Sequence, residues 1–163
     1  MTAAKTNACR ILDKLQIPYS LHPYEWDEDH LDTATVAARV GIAEEHMYKT
    51  LVLRGDKTGI LIACIPGHLE LNLKELASIS GNKKVEMIPV KDIQNVTGYI
   101  RGGVSPLGLK KKYPLYIDIS VVPLDQVSIS AGRRGLQIFL KGSDLVTASE
   151  GIVSPIAGEG GRR

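Results

Sequence analysis

Tyr48-Lys49-Thr50-Leu51-Val52-Leu53-Arg54, Gly55-Asp56-Lys57-Thr58 and Gly59-Ile60-Leu61-Ile62-Ala63-Cys64-Ile65 form the continuous stretch that decides the fold. Two apolar runs flank a tetrapeptide of turn-forming residues, a pattern that predicts a β-hairpin. Hairpin strands run antiparallel, whereas parallel neighbours need a crossover of about a dozen residues or more. Further strands are predicted at 19–24, 84–88, 116–121, 126–130 and 136–140, several of them too close together for such crossovers. The expected architecture is a single α/β domain. Its sheet is mixed and mostly antiparallel, curled into a barrel-like form and surrounded by helices.

The helices announce themselves by period and by caps. Ala8, Ile11, Leu12 and Leu15 recur at i, i+3, i+4 and i+7, so 3–15 reads as an amphipathic helix that Pro18 ends. Asp32 can cap a helix over 33–40 with Gly41 at its stop, and Asn72 can cap 73–80 with Gly81 following. A short helix is expected over 90–97, and Ser143 can cap a last one over 144–149. Glu25-Trp26-Asp27-Glu28-Asp29 alternates poorly and reads as loop, and Glu44, Glu45 and His46 read as a turn. No repeat or linker divides the chain, so one domain is expected over 1–155. The glycine-rich stretch 156–163 is expected to be a flexible tail with nothing to bury.

Composition removes several classes of function. With 20 Lys and Arg against 18 Asp and Glu the net charge is +2, and 44% of the residues are hydrophobic, which describes a folded soluble chain. The longest apolar run, 60–65, has six residues, against about 20 for a membrane span. The polar residues 1–7 lack the apolar core of a signal peptide, so a cytoplasmic protein is expected. Cys9 and Cys64 lie far apart and are expected to be small buried hydrophobes. There is no P-loop and no paired Cys-x-x-Cys, and the four histidines are scattered without an i, i+4 pair. No metal and no cofactor are therefore expected. Gly103-Val104-Ser105-Pro106-Leu107-Gly108 does not have the G-x-S-x-G spacing, so Ser105 is not expected to be a nucleophile.

Two features carry chemistry. Period-2 geometry puts Lys49 on the same strand face as Leu51 and Leu53. There its ammonium either snorkels to water from the strand's frayed start or lines a pocket and holds an anionic or developing negative group. The second feature is the pair of glycine-rich segments at 98–108 and 132–135, 15 residues that hold six of the 16 glycines. Such loops serve either as tight turns or as cradles that aim backbone N–H groups at an oxyanion or phosphate. Lys110-Lys111-Lys112 and Arg133-Arg134 could meet RNA phosphates locally. A net charge of +2 offers no broad basic face.

Four blocks give the chain a family likeness. Tyr48-Lys49-Thr50-Leu51, Lys83-Lys84-Val85-Glu86-Met87, Thr97-Gly98-Tyr99 running into Gly102-Gly103-Val104-Ser105-Pro106-Leu107-Gly108, and Ser130-Ala131-Gly132-Arg133-Arg134-Gly135-Leu136 resemble, in order, the signature blocks of the YbaK/EbsC family. These are Cys-tRNA(Pro) deacylases, free-standing relatives of the editing domain inserted in bacterial prolyl-tRNA synthetases. The resemblance covers about residues 5–150. It implies hydrolysis of the ester of mischarged tRNA(Pro), with prolyl-tRNA synthetase as the expected partner and no membrane or metal. A sister specificity for alanine, or a non-catalytic module that binds the tRNA end or the synthetase, remains an alternative.

The resemblance also assigns residues. Lys49 matches the family's functional lysine, which favours the pocket reading, and Tyr24 matches a pocket tyrosine. Gly102, Gly103, Ser105, Pro106, Ser130 and Gly132 match loops around the aminoacyl end, with Gly108 and Arg134 in the same blocks. Gln137 is a departure, because many members carry an acidic residue there. A neutral amide cannot pair as a charge with the substrate's α-ammonium. The expected mechanism has Gly102 and Gly103 stabilising the oxyanion through backbone N–H groups and Lys49 holding the terminal nucleotide or carbonyl. The nucleophile would be water or the substrate's own thiol, since no Ser-His-Asp set or reactive Cys motif is present.

Overall fold

A computed structural model describes residues 5–159. The Thr6 hydroxyl accepts the Cys9 N–H at 3.3 Å, so α1 (Asn7–Lys14) starts there rather than earlier, and it buries Ala8, Cys9 and Leu12. β1 (Ser20–Pro23) follows. α2 (Thr33–Val40) and α3 (Leu73–Ser80) have the boundaries their caps predict. The Asp32 and Asn72 side chains accept N–H groups at their starts, and Gly41 and Gly81 turn left-handed at their ends.

Between these helices lie the hairpin strands β2 (Tyr48–Gly55) and β3 (Gly59–Pro66), paired from Tyr48↔Pro66 to Gly55↔Gly59, and the short β4 (Glu70–Leu71). β5 (Val85–Met87), α4 (Ile93–Thr97) and β6 (Leu115–Asp118) come next. The strand expected over 116–121 ends at Asp118, whose Oδ2 accepts the Ser120 N–H at 3.2 Å and folds 119–121 into a 3-10 turn. After β7 (Val127–Ser130) and β8 (Leu136–Leu140), α5 (Gly142–Ser149) begins before the expected Ser143 cap. Its start is set by tertiary packing: the Gly142 N–H donates to the Leu124 carbonyl at 3.0 Å, and a Cβ on Gly142 would overlap the Val121 carbonyl.

The last described segment differs from expectation. β9 (Ile152–Ser154) pairs with β6, and β10 (Ala157–Gly158) pairs with β4. Ile156 is fully buried, and its N–H and that of Ala157 donate to Asp118 Oδ1 at 3.0 and 2.9 Å. The flexible tail expected from 156 therefore does not begin there, because Ile156 fills the core and Asp118 ties down the backbone around it. Residues 160–163 lie outside the described residues.

The larger sheet runs β5-β2-β3-β6-β9 and the smaller β1-β8-β7, with β4-β10 as a third pair. Five of the seven pairings are antiparallel, and only β3-β6 and β6-β9 are parallel, so the sheet is mixed and mostly antiparallel as expected. The two main sheets meet at one bridge, Met47↔Ser128, without closing a continuous barrel among the described residues. Tyr48, Val52, Ile62 and Cys64 face the core they share with α1, β7 and β8. Leu53, Leu61, Ala63 and Ile65 face α3 and Ile156 on the other side. No described helix is long and apolar enough to cross a membrane.

Candidate functional site

Lys49 belongs to the second face by alternation, and its neighbours pin it. Lys49 pairs with Ile65, and Met47 just before it bridges to β7, so the strand does not fray here. The half-buried ammonium donates to the Gly67 carbonyl at 3.2 Å. That carbonyl also accepts the Thr33 hydroxyl at 3.1 Å, and Thr33 donates as well to Glu44 Oε2 at 3.1 Å. Desolvation holds the Lys49 ammonium below the usual lysine range, and the charges of Glu44 and Glu70 oppose that effect. Lys49 thus sits as a partly desolvated cation at the seam between the two sheets.

A cavity of about 150 Å³ opens beside it. Its wall takes Tyr24 from the end of β1, Lys49 from β2, Gly102 from the first glycine loop, and Ser130 and Gln137 from β7 and β8. These are five of the predicted site residues, each drawn from a different segment. Thr33, Val36, Met47, Arg101 and Val104 also line it. Composition and spacing did not single these out, although the capped first turn of α2 placed Thr33 and Val36 on a helix that had to pack somewhere. Two cations, Lys49 and Arg101, line the cavity and no carboxylate does.

The remaining predicted residues build the walls from behind. The Gly103 N–H donates to the Ile100 carbonyl at 2.8 Å, so it is committed to a turn. The expectation that Gly103 supplies an oxyanion donor does not hold for this geometry. Gly102 is left-handed, with φ +86°, and its N–H has no acceptor among the described residues. Gly103 is required for packing, since a Cβ there would lie 2.9 Å from Arg133 Cα and push the two glycine loops apart. The Tyr99 hydroxyl draws the first loop closed by donating to the Leu107 and Gly108 carbonyls at 2.6 and 3.1 Å, and the Tyr99 ring packs on Gly132.

Ser105 is fully buried, its Oγ accepting the Leu107 N–H at 3.2 Å, which makes it a turn residue and no nucleophile. Pro106 lines a different hollow beside Ile11 and Tyr113, and Gly108 packs on Asn7 and Ala8. Arg134 stands outside the cavity. Its Nε donates to the Arg101 carbonyl at 2.8 Å, and its guanidinium lies 5.1 Å over the Trp26 ring, so it clamps the loop that carries Gly102.

The lining residues carry groups that polarise a carbonyl: the Lys49 ammonium, the Gly102 N–H, which has no acceptor among the described residues, the Gln137 amide and several hydroxyls. It lacks a protein nucleophile with a base. No histidine lines it, and the Ser130 Oγ accepts the Gly132 N–H at 3.1 Å. Tyr48 bonds Ser120 Oγ at 2.6 Å, and burial pushes its phenol up to about 12. The Cys64 thiol is fully buried and pushed up to about 12 by desolvation. Among the described residues no group of three or more His, Cys, Asp or Glu gathers as metal ligands would.

Residues 27–148 match the family model of the aminoacyl-tRNA editing domain. A protein of Enterococcus faecalis that bears the name Cys-tRNA(Pro)/Cys-tRNA(Cys) deacylase EbsC is 45% identical over 155 residues, covering 95% of this chain and 94% of that one. A proline–tRNA ligase of Brachyspira hyodysenteriae is 27% identical over 128 residues, which are 72% of this chain and 22% of the ligase. A solved structure described as a trans-editing enzyme for prolyl-tRNA synthetase has a TM-score of 0.78 at 19% identity, over 96% of this chain and 99% of that one. At that identity the likeness is one of fold.

Proposed function

The chain belongs to the aminoacyl-tRNA editing domain family, and from that premise we propose that it hydrolyses the ester of mischarged Cys-tRNA(Pro) as a free-standing editing enzyme. The observation that carries this reading is the convergence of Lys49, Gly102 and Gln137 on one small cavity that holds no carboxylate. Editing answers a physical limit. A synthetase pocket built for proline cannot strongly reject an amino acid of similar or smaller size, since a methylene-scale difference is worth only about 1 to 3 kcal/mol.

The ester carbonyl enters the cavity, where the Gly102 N–H and the Lys49 ammonium meet the negative charge that develops on its oxygen. One such donor is typically worth about 10² to 10³ in rate. With no protein nucleophile paired with a base in the lining, water or the substrate's thiol attacks the carbonyl carbon, and the ribose oxygen leaves and takes up a proton. Tyr24 and Ser130 border the aminoacyl group. Prolyl-tRNA synthetase is the proposed partner, because a cavity of this size inspects the amino acid rather than the tRNA body.

A panel of charged tRNAs, run with and without prolyl-tRNA synthetase, tests the reading. Cys-tRNA(Pro) is expected to be cleared and Pro-tRNA(Pro) spared. Faster clearance of Ala-tRNA(Pro) would replace the substrate, and tRNA binding without turnover would make the chain a binding module. Ser-tRNA(Pro), isosteric but a poorer nucleophile, is expected to react far more slowly if the substrate thiol attacks. Equal rates would assign the step to water.

A further inference from the structure

Gln137 occupies the centre of the smaller sheet, paired with His22 on one side and Ser130 on the other. It is only 5% exposed. The fully buried Ser128 donates its hydroxyl to Gln137 Oε1 at 2.6 Å. With its oxygen turned to Ser128, the amide directs its nitrogen end away from that residue. The other end, Nε2, has no hydrogen-bond partner among the described residues. No fully enclosed side-chain nitrogen or oxygen among them lacks a partner, so Nε2 reaches open space, and the open space that Gln137 borders is the cavity.

The charged and titratable groups around that nitrogen point the same way. Lys49 from β2 and Arg101 from the glycine loop line the cavity as cations; Tyr24 and Tyr48 also line it, the Tyr48 hydroxyl being bonded to Ser120 Oγ. His22 beside Gln137 bonds Ser20 Oγ and stacks on Phe139 at 3.6 Å. Glu44 and Glu70 act on Lys49 from behind the wall, Glu44 accepting the Thr33 hydroxyl, and neither lines the cavity. A positively charged α-nitrogen entering here would meet two cations and an N–H donor and no anion, whereas an uncharged one meets a donor it can satisfy.

We propose that Gln137, oriented by Ser128, makes this cavity select aminoacyl esters whose α-nitrogen carries no positive charge, N-acylated esters included. The inference rests on the deacylase reading and adds a substrate class to it. Gln137 acts as a specificity residue in contact with the substrate, and Ser128 as the residue that positions it.

The test compares N-acetyl-Cys-tRNA(Pro) with Cys-tRNA(Pro) at about pH 6, below the ordinary α-amino range, where the free amine is protonated. The wild-type chain is expected to show a kcat/KM for the N-acetyl ester roughly tenfold or more above that for the free one, one pKa unit of discrimination being a factor of ten. Gln137→Glu should reverse the preference, and Ser128→Ala, which lets the amide turn, should bring the ratio towards one. A wild-type preference for the charged amine, or an unchanged ratio in Gln137→Glu, would overturn the inference. Non-hydrolysable 3′-amide analogues of the two aminoacyl-adenosines, titrated against the same three proteins, decide it by affinity. A chain that turns over neither ester but binds the N-acetyl analogue more tightly would keep this inference while the deacylase reading fails.

Discussion

Lys49 and Thr33 share one acceptor: the Gly67 carbonyl takes the Lys49 ammonium at 3.2 Å and the Thr33 hydroxyl at 3.1 Å. The two donors come from β2 and α2, so this single backbone oxygen joins the helix to the proposed catalytic cation. A Cβ on Gly67 would lie 2.7 Å from Thr33 Cβ. Gly67→Ala must therefore shift the first turn of α2, with an overpacking cost of about 1 to 3 kcal/mol. Urea unfolding should show a lower midpoint at unchanged slope. Deacylation should fall by up to about 10²-fold through misplacement of Lys49. A variant with wild-type turnover would show that the shared acceptor does not set the position of the ammonium.

Arg134 offers a direct optical check, because Trp26 under its guanidinium is the chain's one tryptophan. Arg134→Ala removes the bond to the Arg101 carbonyl and a stacking contact worth about 0.5 to 1 kcal/mol at an exposed site. Trp26 emission is expected to shift and KM to rise more than kcat falls. Unchanged emission together with unchanged kinetics would refute the clamp.

Ile156 is fully enclosed among Leu53, Leu61 and Leu76. Ile156→Ala should cost about 2 to 5 kcal/mol. It should also speed hydrogen exchange at the Asn72 N–H, which donates to the Ile156 carbonyl at 2.7 Å. A melting temperature equal to that of the wild type would mean the segment after Pro155 is not part of the core.

The Cys64 thiol is fully buried and pushed up to about 12 by desolvation, so at pH 8 it stays a protonated thiol. Labelling of Cys64 by a disulfide reagent at that pH is expected to wait for unfolding. Prompt labelling at Cys64 in the folded chain would bring a protein thiol back into the mechanism.

What was legible in the sequence was what local rules determine. The 48–65 hairpin and the capped helices α2 and α3 were read with near-correct boundaries because Asp32, Gly41, Asn72 and Gly81 act within a few residues of themselves. β4, β9 and β10 have two or three residues each and exist only through distant partners, such as Glu70 opposite Gly158, so no local pattern announced them. The site shows the same division. Lys49 stood out as a charge on an apolar face, and the glycine loops stood out by composition. That the Gly103 N–H turns back to Ile100 while the Gly102 N–H stays free depends on backbone geometry that residue type does not encode. Ser128, whose hydroxyl orients Gln137, looks in sequence like any other inward residue of a strand.

The central claim is that Lys49 acts on the ester carbonyl inside this cavity. Single-turnover hydrolysis of Cys-tRNA(Pro) at saturating enzyme, wild type against Lys49→Ala, tests it most directly. The variant is expected to melt near the wild-type temperature and to lose activity by about 10²-fold or more, as removal of a preorganised transition-state donor does. Wild-type hydrolysis by a folded Lys49→Ala protein would contradict the account.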